Sequence, residues 1–273
     1  MPAILYEKRG PVALITLNRP ERHNALDLGA MGLLADTWLD FRDDPQLCVA
    51  IVTGAGEADF CCGGDPADFV QMVMHEIDGS DPSGRNSTAT QRSDQIDKAL
   101  VALLHNAEIY KPIIAAVNGT CRASGWQLLL GTDIRVAAPD VRFEIDAARY
   151  GLFPEGGTTS RLPRQIGAAR ALQILLTAEP FDARQACDYG IVNEVVARDQ
   201  LLPTAQRYAE AICRNGPLAV RAIKEAVVKG LALPLADSLA QEPQYAARVF
   251  ASEDASEGIE AFQQQRTPRW RGR

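Results

Sequence analysis

A single acid, Glu155, interrupts the stretch GLFPEGGTTSRLPRQIG, Gly151 to Gly167, between a proline and two glycines and just ahead of an apolar pattern with helical spacing. A carboxylate at such a seam can take a proton from a bound molecule and return it elsewhere, provided other groups stabilise the charge formed in between. Two glycine-rich turns could supply those groups: VTGAGEADFCCGGD at 52–65 and VNGTCRASGWQLLLGTD at 117–133. Each follows a strand-like run and precedes a helix-like one, so backbone N–H groups could face an oxyanion. Simpler readings exist for both features. A tight turn accounts for any one glycine cluster, and an acid near a helix N-terminus is favoured by the helix dipole without doing chemistry.

Several other chemistries lack their residues. There is no G-x-x-x-x-G-K-[ST] phosphate loop, no G-x-S-x-G nucleophile elbow and no Tyr followed four positions later by Lys. Gly54-Ala55-Gly56 begins like a dinucleotide fingerprint, but Asp59 holds the place of the third glycine. The histidines at 23, 75 and 105 form no metal-ligand spacing, and neither do the cysteines at 48, 61, 62, 121, 187 and 213. Free thiols without a C-x-x-C pair point to a reducing, cytoplasmic setting.

The elements that must carry these turns are legible in outline. AILYEK and VALITL, split by Arg9-Gly10-Pro11, predict a hairpin within residues 2–18. Helical spacing predicts a helix in ALDLGAMGLLADTWLDFRDD, and the β-branched run CVAIVTG a strand. SDQIDKALVALLHNAEI reads as a helix, and KPIIAAVNG, IRVAA and VRFEID as strands. Between them, Asp78 to Gln91 has the composition of a long surface loop. After Thr158 helices dominate: ARALQILLT, ARQACDYG, LLPTAQRYAEAICRNG, PLAVRAIKEAVVKG and ASEGIEAFQQQR. Strands first and helices last predict an α/β core over 1–200 and a helical region over 201–273.

The chain has 273 residues, 47% hydrophobic and 23% charged, enough to bury a substantial core. A net charge of -7 gives no electrostatic reason to expect nucleic acid or an anionic membrane as partner. No apolar run approaches the ~18 residues of a membrane span, and the first residues do not read as a signal peptide.

Six segments, in order, resemble the crotonase family, the enoyl-CoA hydratase/isomerase superfamily: ITLNRPERHNALD, ADFCCGGDPADF, AAVNGTCRASGWQLLLGTDIRVAA, GLFPEGGTTSRLPRQIG, LLTAEPFDARQACDYGIVNEVV and EGIEAFQQQRTPRWRGR. The resemblance implies an α/β spiral of ββα units with a helical trimerisation region, assembled as a homotrimer or hexamer. It implies an acyl-CoA thioester as substrate, coenzyme A being part of that substrate and no separate cofactor or metal being needed. By position, the thioester carbonyl would sit between the backbone N–H groups of Gly64 and Ser124. Coenzyme A would run along Arg22, Asn24, Ala25 and Leu26 and over Cys62, Asp65, Pro66 and Ala67, with Arg22 the phosphate candidate and His23 beside it. Each preorganised oxyanion donor is worth ~2.7 to 4 kcal/mol. Ser124 stands where the family commonly has glycine, keeping the N–H unless the turn needs a positive φ.

The chain departs from the family at the acids. Hydratases use two glutamates; the aligned positions hold Gln127, which could still bind a water, and Ala147. Neither residue can act as general acid or base, and each such group typically contributes a factor of ~100 to 10,000. Glu155, in contrast, falls where certain Δ3,Δ2-enoyl-CoA isomerases of the family carry their catalytic glutamate. Dehalogenases of the family place an aspartate at the same spot. Desolvation by an acyl-lined pocket would raise the pKa of such a carboxylate. The leading expectation is therefore an isomerase using Glu155, with Asp146, Glu144 and Asp65 as reserve acids. The alternatives are a hydratase, or a related lyase or thioesterase, and an acyl-CoA-binding protein without activity.

Overall fold

The computed structural model describes residues 1–65, 97–105 and 107–273. Pro66, Ala67, His75 and the loop expected from Asp78 to Gln91 lie outside the described residues.

β1 (Ile4–Arg9) and β2 (Val12–Leu17) form the expected hairpin, antiparallel with Ile4 opposite Leu17. α1 (Leu28–Asp43) then starts at Asp27, whose carboxylate accepts the Ala30 N–H at 2.7 Å. Its Leu34, Trp38 and Phe41 recur at helical spacing and are fully buried. That crossover lets β3 (Val49–Gly54) run parallel to β2.

From β3 onward a motif repeats in space. A strand of the first sheet turns sharply into a short strand of a second sheet: β3 into β4 (Asp59–Cys61), β5 (Ile113–Val117) into β6 (Thr120–Arg122), and β7 (Ile134–Ala137) into β8 (Arg142–Glu144). With β9 (Phe181–Asp182) and β10 (Glu194–Val195), the sheet orders are β1-β2-β3-β5-β7-β10 and β4-β6-β8-β9. α2 (Ser124–Leu130) follows β6, and α3 (Thr158–Ile166) follows β8. β3 and β5 are buried at every residue, as parallel strands covered on both faces must be.

The corners between the sheets are held by Asn118. Its side chain accepts the Gly54 N–H at 2.9 Å and donates to the carbonyls of Gly56 and Asp59 at 3.0 and 3.1 Å. Three backbone groups in a corner with little regular pairing are thereby satisfied.

The helical part comprises α4 (Ala168–Thr177), α5 (Ala183–Asp188), α6 (Leu201–Cys213), α7 (Pro217–Gly230), α8 (Leu235–Phe250) and α9 (Glu253–Gln263). α6 packs across β3, β5 and β7, whereas α7 and α8 pack against each other. α8 was not expected from the sequence, because two prolines punctuate it. Pro234 turns out to be its N-cap and Pro243 lies inside it. The helix expected over 93–109 is described as helical over 97–102 and stops there. Leu104 and Glu108 adopt positive φ of 56° and 46°, and Ala107 and Ile109 are buried as irregular chain. Among the described residues no helix is long and apolar enough to cross a membrane, and no group of three His, Cys, Asp or Glu side chains could hold a metal.

Candidate active site

The two expected amides are brought together by backbone contact. Gly63 has φ 105°, a conformation that L side chains rarely adopt, and a Cβ there would lie 2.5 Å from the Ala123 Cβ and 3.2 Å from the Ser124 nitrogen. The loop ahead of Gly64 therefore rests directly on the start of α2. Its other edge is pinned to the segment before α1: Leu26 donates its N–H to the Gly63 carbonyl at 2.8 Å and accepts the Asp65 N–H at 3.0 Å. Among the described residues, neither the Gly64 nor the Ser124 N–H is matched to an acceptor. Two adjacent, unspent backbone donors are what an oxyanion requires.

The conformational question at Ser124 is resolved by its neighbour. Ala123 takes the unusual angles, φ 47° and ψ -120°, while Ser124 begins the helix without a positive φ. Serine is thus tolerated at position 124, and the strain falls on an exposed alanine.

Glu155 lies across from this helix. Gln127, three residues after Ser124 and so on the same face of α2, donates its Nε2 to the Glu155 carbonyl at 3.0 Å. Gly156, φ 64°, presses against the same side chain: a Cβ there would lie 2.3 Å from the Gln127 Cδ. Gly157 is the N-cap of α3, with its carbonyl accepting the Arg161 N–H at 2.7 Å. The Glu155 carboxylate is exposed and, among the described residues, makes no hydrogen bond or ion pair. The chain alone does not supply the desolvation anticipated for it.

Ala147 is half-buried at the start of a short 3-10 turn, Ala147–Tyr150, and brings no acid. Asp146, just before it, is only 8% exposed, and its carboxylate has no hydrogen-bond partner among the described residues. It follows β8, whose last residue, Glu144, pairs in parallel with Arg122 at the end of β6, two residues ahead of Ser124.

The residues expected along coenzyme A are largely committed to the protein. Asn24 is buried: Nδ2 donates to the carbonyls of Ala55 and Asp59, and Oδ1 accepts the Arg19 N–H. Ala25 and Leu26 are buried, and the Ala25 carbonyl accepts from Arg19 Nη1 at 2.7 Å. Asp65, 3% exposed, receives Arg19 and Arg22 at 3.2 and 3.3 Å. Arg22 remains mostly exposed, with guanidinium surface free for a further anion. Cys62 donates its N–H to the His23 carbonyl and its thiol to Asp59, and burial followed by that bond pushes the thiol far above its usual range.

Sequence reasoning missed Arg19 and Asp59, which organise this edge. Asp59 is buried and also hydrogen-bonds the His23 ring at 2.9 Å. Arg19 joins its near neighbours Asn24 and Ala25 to the distant Asp65, and Asp59 joins the nearby Cys62 to the distant His23, so the long-range half of each cluster carries no local signal.

The whole chain compares closely with proteins of known class. Residues 7–273 match the family model described as Enoyl-CoA hydratase/isomerase. The enoyl-CoA hydratase EchA19 of Mycobacterium tuberculosis is 36% identical, with 100% of this chain and 97% of that protein covered. The (E)-benzylidenesuccinyl-CoA hydratase of Thauera aromatica is 35% identical, with 100% of both chains covered. The crystal structure of an enoyl-CoA hydratase from Bacillus anthracis superposes with a TM-score of 0.88 at 30% identity, covering 100% of both chains. By these matches over nearly its whole length, the chain belongs to the enoyl-CoA hydratase/isomerase family. The fold is of the crotonase type, and the names of these relatives give no support to isomerase over hydratase.

Proposed function

We propose that the protein is an acyl-CoA enzyme working through an enolate, with Δ3,Δ2-enoyl-CoA isomerisation as its reaction. The observation that carries this reading is the arrangement of acids around the amide pair. Glu155 stands free opposite α2, while the two positions where a hydratase would hold glutamates contain Ala147 and a Gln127 whose amide is spent on the Glu155 backbone. Isomerisation needs one base. Glu155 takes a proton from C2 of a 3-enoyl thioester, the electrons move into a dienolate whose oxygen accepts the Gly64 and Ser124 N–H groups, and the same carboxylic acid returns the proton at C4.

Coenzyme A would bind along Arg22 and the 62–67 loop, its phosphates reaching the exposed Arg22 guanidinium. The free thiols fit a cytoplasmic setting. A homotrimer or hexamer is supported by the apolar surface of the C-terminal helices, where Ile223, Val227, Leu231, Leu235 and Leu239 are exposed.

A second reading, hydration of a 2-enoyl thioester, is favoured by the relatives' names and by Asp146, a buried and unpartnered acid beside Ala147. Supplying 3-hexenoyl-CoA and crotonyl-CoA in parallel separates the two. Faster conversion of the 3-enoyl ester to its conjugated isomer supports isomerisation; faster hydration of crotonyl-CoA, abolished in Asp146→Asn, overturns it.

A further inference from the structure

We infer that Gln127 is a positioning residue, the support that sets where Glu155 stands relative to the oxyanion amides. The inference rests on the reading of Glu155 as the proton-transfer group. Three observations converge on it. The Gln127 Nε2 donates to the Glu155 carbonyl at 3.0 Å, across 28 residues of sequence. The neighbouring Gly156 comes so close that any Cβ would overlap the Gln127 side chain, with Oε1 only 2.5 Å and Cδ 2.3 Å away. Gln127 itself shares the first turns of α2 with Ser124, about one helical pitch (~5 Å) from that amide.

One side chain therefore spans from the helix bearing an oxyanion donor to the loop bearing the acid. The loop is held from its far side as well. Arg161 accepts no freedom there: its Cδ packs against Gly157 and its Nη2 donates to the Leu104 carbonyl. Glutamine suits the task because it presents a donor, and a glutamate would not. An ionised carboxylate at 127 would face the Glu155 carbonyl oxygen with acceptors only, leaving the bond unmade and pushing the loop away. The residue that removes a hydratase acid from this site is thus the one that fixes the remaining acid. A misplacement of ~1 Å at a reacting group can lower a rate by about 100-fold.

The test uses the full-length protein and two variants: Gln127→Met, close in volume but without a donor, and Gln127→Glu. Isomerisation of 3-hexenoyl-CoA is measured together with amide hydrogen exchange over 153–161. The expected result is a roughly 10- to 100-fold fall in kcat with KM changed by less than about two-fold in both variants. Exchange at the Glu155 and Arg161 amides, which bond to the Phe153 and Gly157 carbonyls, should accelerate. Unchanged exchange in both variants would overturn the inference, as would a gain of crotonyl-CoA hydration in Gln127→Glu. Glu155→Gln is assayed alongside: if it stays active, the reading of Glu155 falls, while exchange in the Gln127 variants still decides whether the clasp exists.

Discussion

At the scale of single residues, the site depends on backbone angles as much as on side chains. Ala123 holds φ 47° and ψ -120°, and Ser124 begins α2 directly after it beside the loop that carries Gly63. Such angles cost a non-glycine residue of order 1–3 kcal/mol, part of which Gly would recover against its greater freedom when unfolded. Ala123→Gly is expected to raise stability by about 1 kcal/mol in urea unfolding, with turnover retained. Destabilisation would show that the Ala123 methyl, rather than the strain, dominates. The resemblance to the family singled out Gly64, Ser124 and Glu155 as candidates, each lying in a local pattern of small residues and turns. It also placed Gln127 and Ala147 where acids were expected. What it did not show was that Gln127 bonds the Glu155 carbonyl, or that Asp65 is buried and taken up by Arg19, since those bonds join distant segments.

At the scale of elements, β1, β2, β3, β5, β7, β8 and most helices were legible because their apolar patterning is strong, whereas the two- and three-residue strands β4, β6, β9 and β10 are too short to carry a pattern and were not expected. β3 and β5 are continuous apolar runs, and α1 places Leu34, Trp38 and Phe41 on one face. α8 was missed because its prolines signal breaks, whereas the fold uses Pro234 as a cap and keeps Pro243 inside a continuous helix. The spatial repeat of strand, corner and second-sheet strand was hidden for a different reason: the segments between corners differ in length, so no sequence period survives. The C-terminal tail is a further element fixed by charge. Glu257 accepts Arg266 in a two-pronged pair and the Arg269 N–H, while Asp254 accepts the N–H groups of Arg271 and Gly272. The Arg266 guanidinium, then the Arg269 N–H, hold the Glu257 carboxyl down at about 2 from its usual 4.5. A depressed acid stabilises the fold above its unfolded pKa, and that contribution is lost as pH falls through the folded value. The tail is therefore expected to loosen between about pH 4.5 and 2. Fluorescence of Trp270, which donates to the Arg214 carbonyl and packs on Gly216 and Gly258, reports it. In Glu257→Gln the signal should already be altered at neutral pH; an unchanged acid titration would show that Glu257 does not hold the tail.

At the scale of the whole molecule, the two ends of the chain do different work. The sheets and their corners build the amide pair, whereas the C-terminal helices expose a broad apolar face. Phe250 and Phe262 are 77% and 85% exposed and border a groove of about 420 Å³ with Ile259 and Trp270. A lone chain rarely leaves so much apolar surface in water. Light scattering is expected to give a mass of three or six chains, and Leu235→Glu with Leu239→Glu to shift it toward one; a monomeric parent protein would contradict the proposed assembly. The family and fold were readable from six ordered segments, but the choice of reaction was not, because hydratases and isomerases share the fold and the amide pair and differ in a few acids. That choice rests on Glu155. The most direct measurement is the rate at which Glu155→Gln converts 3-hexenoyl-CoA to the conjugated 2-enoyl ester, compared with the parent protein. A loss of ~100- to 10,000-fold with the thioester still bound is expected if this carboxylate moves the proton. Turnover within a few-fold of the parent would contradict the account.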